Sequence, residues 1–189
     1  LLAGDPDNRL LASYRHRRLE AEPMRDAVLA ISGLLERGNP GPHDFPKPNA
    51  NNEYPYSQHR PFFSDYNHDY RTVYLPARRL GKHPYMSDFN GPDPNVCTAN
   101  RSVSTVPLQS LYWMNSDFIQ ENAAAFAARL ARLESEPEKR IKLAYQLALN
   151  RPPQGNEVAE MMNYLEGYAA KTNAEGAAVG MGRAWTSFC

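Results

Sequence analysis

Pro137-Glu138-Lys139-Arg140-Ile141-Lys142-Leu143-Ala144-Tyr145-Gln146-Leu147-Ala148-Leu149-Asn150-Arg151-Pro152-Pro153 carries a helix start, a helix face and a helix stop in one passage. Proline is tolerated in a first helical turn, because the N–H it lacks has no intrahelical partner there. Ile141, Tyr145 and Ala148 then recur at helical spacing and make one apolar face. Asn150 suits the left-handed cap position, and Pro152-Pro153 blocks continuation. On the N-terminal side, Ile119, Ala123, Phe126, Leu130 and Leu133 form a second stripe behind a cap at Asn115 or Ser116. A short helix from Pro107 to Met114 precedes it. On the C-terminal side, Val158, Met162, Leu165 and Tyr168 or Ala169 share the face of a third long helix. Connections this short place neighbouring helices antiparallel. Tyr112, Trp113 and Trp185 read as core, and no fixed period marks the array as a repeat protein.

Nearer the N-terminus, the pattern predicts a helix from about Leu19 to Arg37. Its stripe is Met24, Val28, Ile31 and Leu35, with Pro23 in the first turn and Gly38 as the C-terminal cap. Between Gly38 and Val106 the chain changes character: ten of the sixteen prolines lie from Pro40 to Pro94. His43, His59, His68 and His83 lie in the same stretch, with Tyr54, Tyr56, Phe62, Phe63, Tyr66, Tyr70, Tyr74 and Tyr85. That aromatic content excludes a Gly/Ser-type flexible linker. Only Tyr70 to Leu75 alternates like a strand, with Tyr70, Thr72 and Tyr74 on one face. An ordered wrap over the helices follows, its rings buried and its hydroxyls hydrogen-bonded. The predicted architecture is mainly α: one domain of an N-terminal helical part (1–37), an aromatic wrap (38–106) and an irregular helical array (107–189), with at most one or two short strands.

Composition narrows the function classes. The 189 residues are 42% apolar and 22% charged, which is enough for one ordinary core. Lys plus Arg (21) balances Asp plus Glu (21), so net charge recruits neither nucleic acid nor an anionic membrane. The one basic run, Arg15-His16-Arg17-Arg18, reads as a solvated face. No run of about 18 apolar residues offers a membrane span. Cys97 and Cys189 match no metal or redox spacing, and without Cys-x-x-Cys-His this chain carries no covalent c-type haem. The sequence names no other cofactor.

Several passages together resemble one family. They are Asp7-Asn8-Arg9-Leu10-Leu11, Arg18-Leu19-Glu20-Ala21-Glu22 leading to Arg25-Asp26-Ala27, and Arg71-Thr72-Val73-Tyr74-Leu75-Pro76. Ser104-Thr105-Val106-Pro107-Leu108-Gln109-Ser110-Leu111, Met114-Asn115-Ser116-Asp117-Phe118 and Ala144 to Pro152 complete the set. The succession is similar to the planctomycete cytochrome-associated domain of unknown function, number 1553 of that series. One branch is marked by His43-Asp44-Phe45-Pro46, Tyr56 to Phe62, Tyr66-Asn67-His68 and His83-Pro84-Tyr85. The resemblance implies an exported, periplasmic or cell-envelope setting in a large multidomain protein that often bears a c-type cytochrome domain. It further implies a domain beginning upstream of Leu1 and continuing past Cys189 into another apolar helix. Leu1, Leu2, Trp185 and Phe188 are then expected to pack on that additional chain or on a partner. The family's glycine after the Ala-Tyr helix is Asn150 here. No activity comes with the resemblance.

The candidate ligand-binding residues are His43, His59, His68, Arg71, His83 and Arg101. Imidazole suits zinc, copper, iron or nickel, so His59 and His68 with Asp65 and Asp69 form the candidate metal group, although no recognised ligand spacing supports it. The competing reading has the histidines holding backbone carbonyls or carboxylates, with His59 and His68 near each other and near Arg71. Aromatic faces with Asp65/Asp69 or Asp88/Asp93 are raw material for a polysaccharide-acting enzyme or a glycan contact. Each of these aspartates also sits among turn-forming neighbours. Arg71 and Arg101 are suited to forking a carboxylate ligand, or to tying the wrap to the frame through Asp or Glu. No nucleophile elbow is present. The sequence favours a non-catalytic binding or assembly module, with a polysaccharide-acting enzyme or a metal-binding domain as the alternative.

Overall fold

The structure, a computed structural model, describes residues 5, 8–11, 17–41, 47–55, 57, 68–79, 81–172 and 177–189, with backbone only at 177 and 178. Among these residues the architecture is helical and contains no sheet. It comprises α1 (Ala21–Ser32), α2 (Pro84–Asp88), α3 (Pro107–Asn115), α4 (Asp117–Leu133), α5 (Pro137–Leu149), α6 (Glu157–Lys171) and α7 (Ala177–Phe188). α4 is central, packing against α1 on one side and against α5 and α7 on the other, while α6 lies along α7.

α5 runs as its sequence dictates, from Pro137 at the first turn to Asn150 in the left-handed region at φ 53°. Its Ile141 and Ala144 are buried, and Ile141 joins Ala127, Leu165, Ala184 and Trp185 in one core. Fully burying each large side chain there contributes roughly 1.5–3 kcal/mol. Arg140 lies 4.8 Å over the Trp185 ring while its Nε donates to the Glu134 carbonyl, so the α4–α5 turn is fastened to α7. α6 and α7 meet closely at Gly180, where a Cβ would stand 3.0 Å from the Ala169 carbonyl oxygen. A second core is aromatic: Tyr85 and Phe89 stack at 4.6 Å, and Tyr112 and Trp113 of α3 pack edge-on or tilted against them.

Several expectations are corrected. α1 stops at Ser32 rather than near Arg37, because Gly33 takes the left-handed cap (φ 87°) and its N–H closes on the Leu29 carbonyl. Gly38 is not the cap. Arg129 of α4 donates to the Ala30 and Ile31 carbonyls and satisfies the exposed end of that helix. The buried face of α1 is Ala21, Arg25, Leu29 and Ser32, one position round from the predicted stripe. Ser32 closes this face by donating to the Asn122 amide oxygen on α4 at 2.7 Å. Tyr70 to Leu75 is not a strand: Thr72–Tyr74 forms a 3₁₀ turn, and the only extended pairing among the described residues is the Glu36–Tyr70 bridge. The rings of the wrap are not uniformly buried either. Tyr85 is 1% exposed, whereas Tyr54 is 55% and Tyr74 is 42% exposed. Leu133, predicted to face the core, is exposed.

A cleft between the first helix and the wrap

Glu20, just before α1, and Glu22, Arg25 and Asp26 in its first turns present four charged side chains to the wrap. Arg25 sits in the middle of the buried face and is 4% exposed. Its guanidinium donates to the His68 carbonyl at 2.6 Å and to the Tyr70 carbonyl and Thr72 Oγ1 at 3.3 Å. It also lies 5.0 Å over the Phe118 ring of α4. Burial lowers its pKa, with Asp26 the main opposing influence. Asp26 accepts the Thr72 N–H at 2.7 Å and Arg71 Nε at 3.4 Å. Glu22 and Glu20 both hold Nη1 of Arg101, at 2.6 and 2.9 Å. These contacts draw residues 68–72 and the segment before α3 onto one helix. Tyr85 adds a tie from α2 by donating to the Ala21 carbonyl at 2.7 Å. Its phenol is pushed up by burial.

Between these ties lies a cavity of about 390 Å³. Pro23, Val73, Leu75 and Met86 give it an apolar surface, and Lys82, His83 and Arg101 stand around it. Lys82 Nζ donates to the Gly91 carbonyl at 2.7 Å. Burial, reinforced by the positive charge of Arg25 and Arg78, lowers His83 to about 4, so its ring is neutral at neutral pH. A second cavity of about 420 Å³ adjoins the first and shares Glu20 and Arg101 with it. Arg17, Arg18, Asn100 and Ser102 line this more polar half. Arg18 is held by the Ser104 carbonyl at 2.6 Å and the Gln109 side-chain oxygen at 2.8 Å. Gln109, itself buried, donates onward to the Asp88 carbonyl. Arg18 is exposed, as its basic run suggests, and is also a structural tie.

Of the residues singled out from sequence, His83 and Arg101 meet at the first cavity. Arg71 stands near them but is engaged with Asp26 and largely exposed. His68 contributes its carbonyl to Arg25 and sets its ring edge-on to Tyr70 at 5.7 Å. Both His68 ring nitrogens are buried with no hydrogen-bond partner among the described residues, contrary to the expectation of a carbonyl or carboxylate partner. Asp69 is exposed, and its carbonyl accepts the Glu36 N–H. His43, His59 and Asp65 lie outside the described residues, and with them the expected approach of His59 to His68. Asp93 plays its turn role by accepting the Asn95 N–H. Among the described residues, no three His, Cys, Asp or Glu side chains gather as a metal group. No helix of the described residues is long and apolar enough to cross a membrane.

Sequence reasoning missed Arg25, Lys82 and Glu22. For Arg25 a signal was present: it falls at helical spacing between Ala21 and Leu29, so the true apolar stripe encloses a cation.

A second region has a different character. Three grooves meet at Cys189, with volumes of about 170, 280 and 810 Å³, and Phe188 lines the two larger ones. The two smaller have largely apolar walls, among them Ile119, Ala123 and Phe126 of α4 and Ala148 of α5, whereas the largest mixes Trp113 and Met114 of α3 with Gln120, Arg183, Thr186 and Ser187. Trp185 is already buried within this chain, against Ala127 and Ile141 among others, which corrects the expectation that it awaits an outside partner. Burial pushes the Cys189 thiol up to about 12.

Fold and surface together define a helical protein, without sheet among the described residues, that carries both a charged cleft and a grooved face at Cys189. The chain belongs to the family described as a protein of unknown function, DUF1553, whose model matches residues 1–165. No curated protein and no solved structure matches it.

Proposed function

We propose that this domain is a non-catalytic binding or assembly module of an exported, cytochrome-linked multidomain protein. The observation that carries the assembly reading is the face where three grooves meet at Cys189, two of them apolar. Contiguous apolar surface of this kind marks an interaction site. Ala148 and Met114 are exposed there on separate helices, so the face is assembled by the tertiary fold. Its occupant in this reading is further polypeptide of the same protein following Cys189, packed as a helix along α4 and α5. The exported setting and the neighbouring c-type cytochrome domain rest on the family resemblance. Binding rather than turnover is supported by the charged cleft, where Arg18, Lys82 and Arg101 are held by protein carbonyl, carboxylate or amide oxygens.

The test is to compare this chain with a polypeptide extended beyond Cys189 by the next helix. The extension is expected to suppress binding of an apolar dye. Equal dye binding in both would refute the reading.

A further inference from the structure

We infer that the two adjoining cavities beside α1 form one site for an organic acid. Its carboxylate sits among Arg17, Arg18 and Arg101, and its apolar body lies on Pro23, Val73 and Met86. The inference is independent of the face at Phe188.

The division of chemistry between the cavities carries the argument. The first is walled mainly by apolar side chains, and the second brings three guanidinium groups against a single carboxylate, that of Glu20. An anion entering the second half therefore meets a positive surplus, and one with an apolar tail removes that tail from water in the first. Donors remain available. Among the described residues Arg101 bonds through Nη1 alone, leaving Nε and Nη2. Arg17 makes no ion pair or hydrogen bond among them. Asn100 and Ser102 supply further polar groups to the same half.

Glu20 and Glu22 differ in a way that suits ligand exchange. The Glu22 side chain is 23% exposed and lies 2.6 Å from Arg101, and the Glu20 side chain is 61% exposed at 2.9 Å. An incoming carboxylate displaces Glu20 and leaves Glu22 to hold Arg101 in place. No aromatic platform for a sugar ring lines the first cavity among the described residues, which favours an aliphatic body over a glycan.

Calorimetric titration of the 189-residue protein with acetate, butanoate, hexanoate, octanoate, octanamide and inorganic phosphate tests the inference. Affinity is expected to rise from acetate to octanoate, with octanamide weaker than octanoate by about tenfold or more. Arg17→Ala, at an exposed position that contributes no internal bond, is expected to weaken octanoate by about tenfold with an unchanged melting temperature. Glu20→Gln is expected to strengthen octanoate, because the competing carboxylate is gone. The inference is overturned if octanoate shows no saturable binding, or if acetate, phosphate or octanamide binds as tightly as octanoate. It is equally overturned if Arg17→Ala and Glu20→Gln both leave octanoate affinity unchanged.

Discussion

Replacing Arg25 by methionine tests how the wrap is held to the frame. Methionine matches much of the arginine stem and keeps the site apolar, so the change isolates the guanidinium group. Three acceptors lose their donor: the His68 carbonyl at 2.6 Å, and the Tyr70 carbonyl and Thr72 Oγ1 at 3.3 Å. A charge-assisted bond to a carbonyl contributes about 1.5–3 kcal/mol, and the two longer bonds contribute less. The stack over Phe118 adds about 0.5–2 kcal/mol. Against this stands the cost of desolvating the cation, which methionine removes and which lowers the Arg25 pKa in the folded protein. The balance is a net loss of about 3 kcal/mol, a large share of the roughly 5–15 kcal/mol by which domains are stable. Urea unfolding followed by the fluorescence of Trp113 and Trp185 reads the loss directly, and limited proteolysis should show new cleavage within residues 68–79. Arg25→Lys keeps the charge without the planar fork, so it should fall between methionine and wild type. A methionine variant within about 0.5 kcal/mol of wild type, with unchanged proteolysis, would show that Arg25 does not hold the wrap.

Four further outcomes follow from other parts of the structure. Gly180→Val should lower stability by about 1–3 kcal/mol, because its Cβ meets the backbone oxygen of Ala169, and circular-dichroism melting will show whether it does. Gly33→Ala should cost about 1–2 kcal/mol in the same assay, since alanine at φ 87° is strained and its Cβ would lie 3.1 Å from Arg129 Cδ. His83 is lowered from 6.5 to about 4, so its contribution is fully present above pH 6.5 and is lost as pH falls toward 4. Stability measured across that window should decline less steeply in His83→Gln than in wild type. Glu157, whose carboxylate takes Arg151 at 2.8 and 2.9 Å, is lowered from 4.5 to about 2. Its contribution is present above the ordinary carboxylate range and lost as pH falls through about 2, so Glu157→Gln should flatten the acid limb below pH 4.5.

Where structure is set by local chemistry, the sequence revealed it. Pro107 and Pro137 start helices and Asn150 ends one, because a proline in the first turn and a left-handed cap act within a few residues. Ile141, Phe126, Leu130 and Leu165 are buried as their spacing implies. The sequence pointed to Gly38 as the end of α1, but the helix stops at Gly33 and the chain beyond it turns away to pair Glu36 with Tyr70. That pairing is non-local and leaves no periodic trace. The strand expected over Tyr70 to Leu75 failed for a similar reason. Thr72 is drawn inward by Asp26 and Arg25, which tightens the segment into a 3₁₀ turn. α7 was not delimited in advance, because Gly180 and Gly182 weaken its helical signal while Gly180 allows its close approach to α6. At the cleft, His83 and Arg101 were legible as polar residues in an aromatic context. Their neighbours Arg17 and Arg18 come from a distant stretch that only the fold brings close.

The measurement that bears most directly on the assembly reading is amide hydrogen exchange across Phe118–Phe126 and Leu143–Leu149, compared between this chain and a polypeptide extended past Cys189. These segments carry Ile119, Ala123 and Ala148, which wall the grooves around Phe188 and Cys189. The account predicts that extension slows exchange in both segments at once and raises the melting temperature, with little change in α6. Unaltered exchange in both segments, with the extension exchanging as free chain, would contradict it.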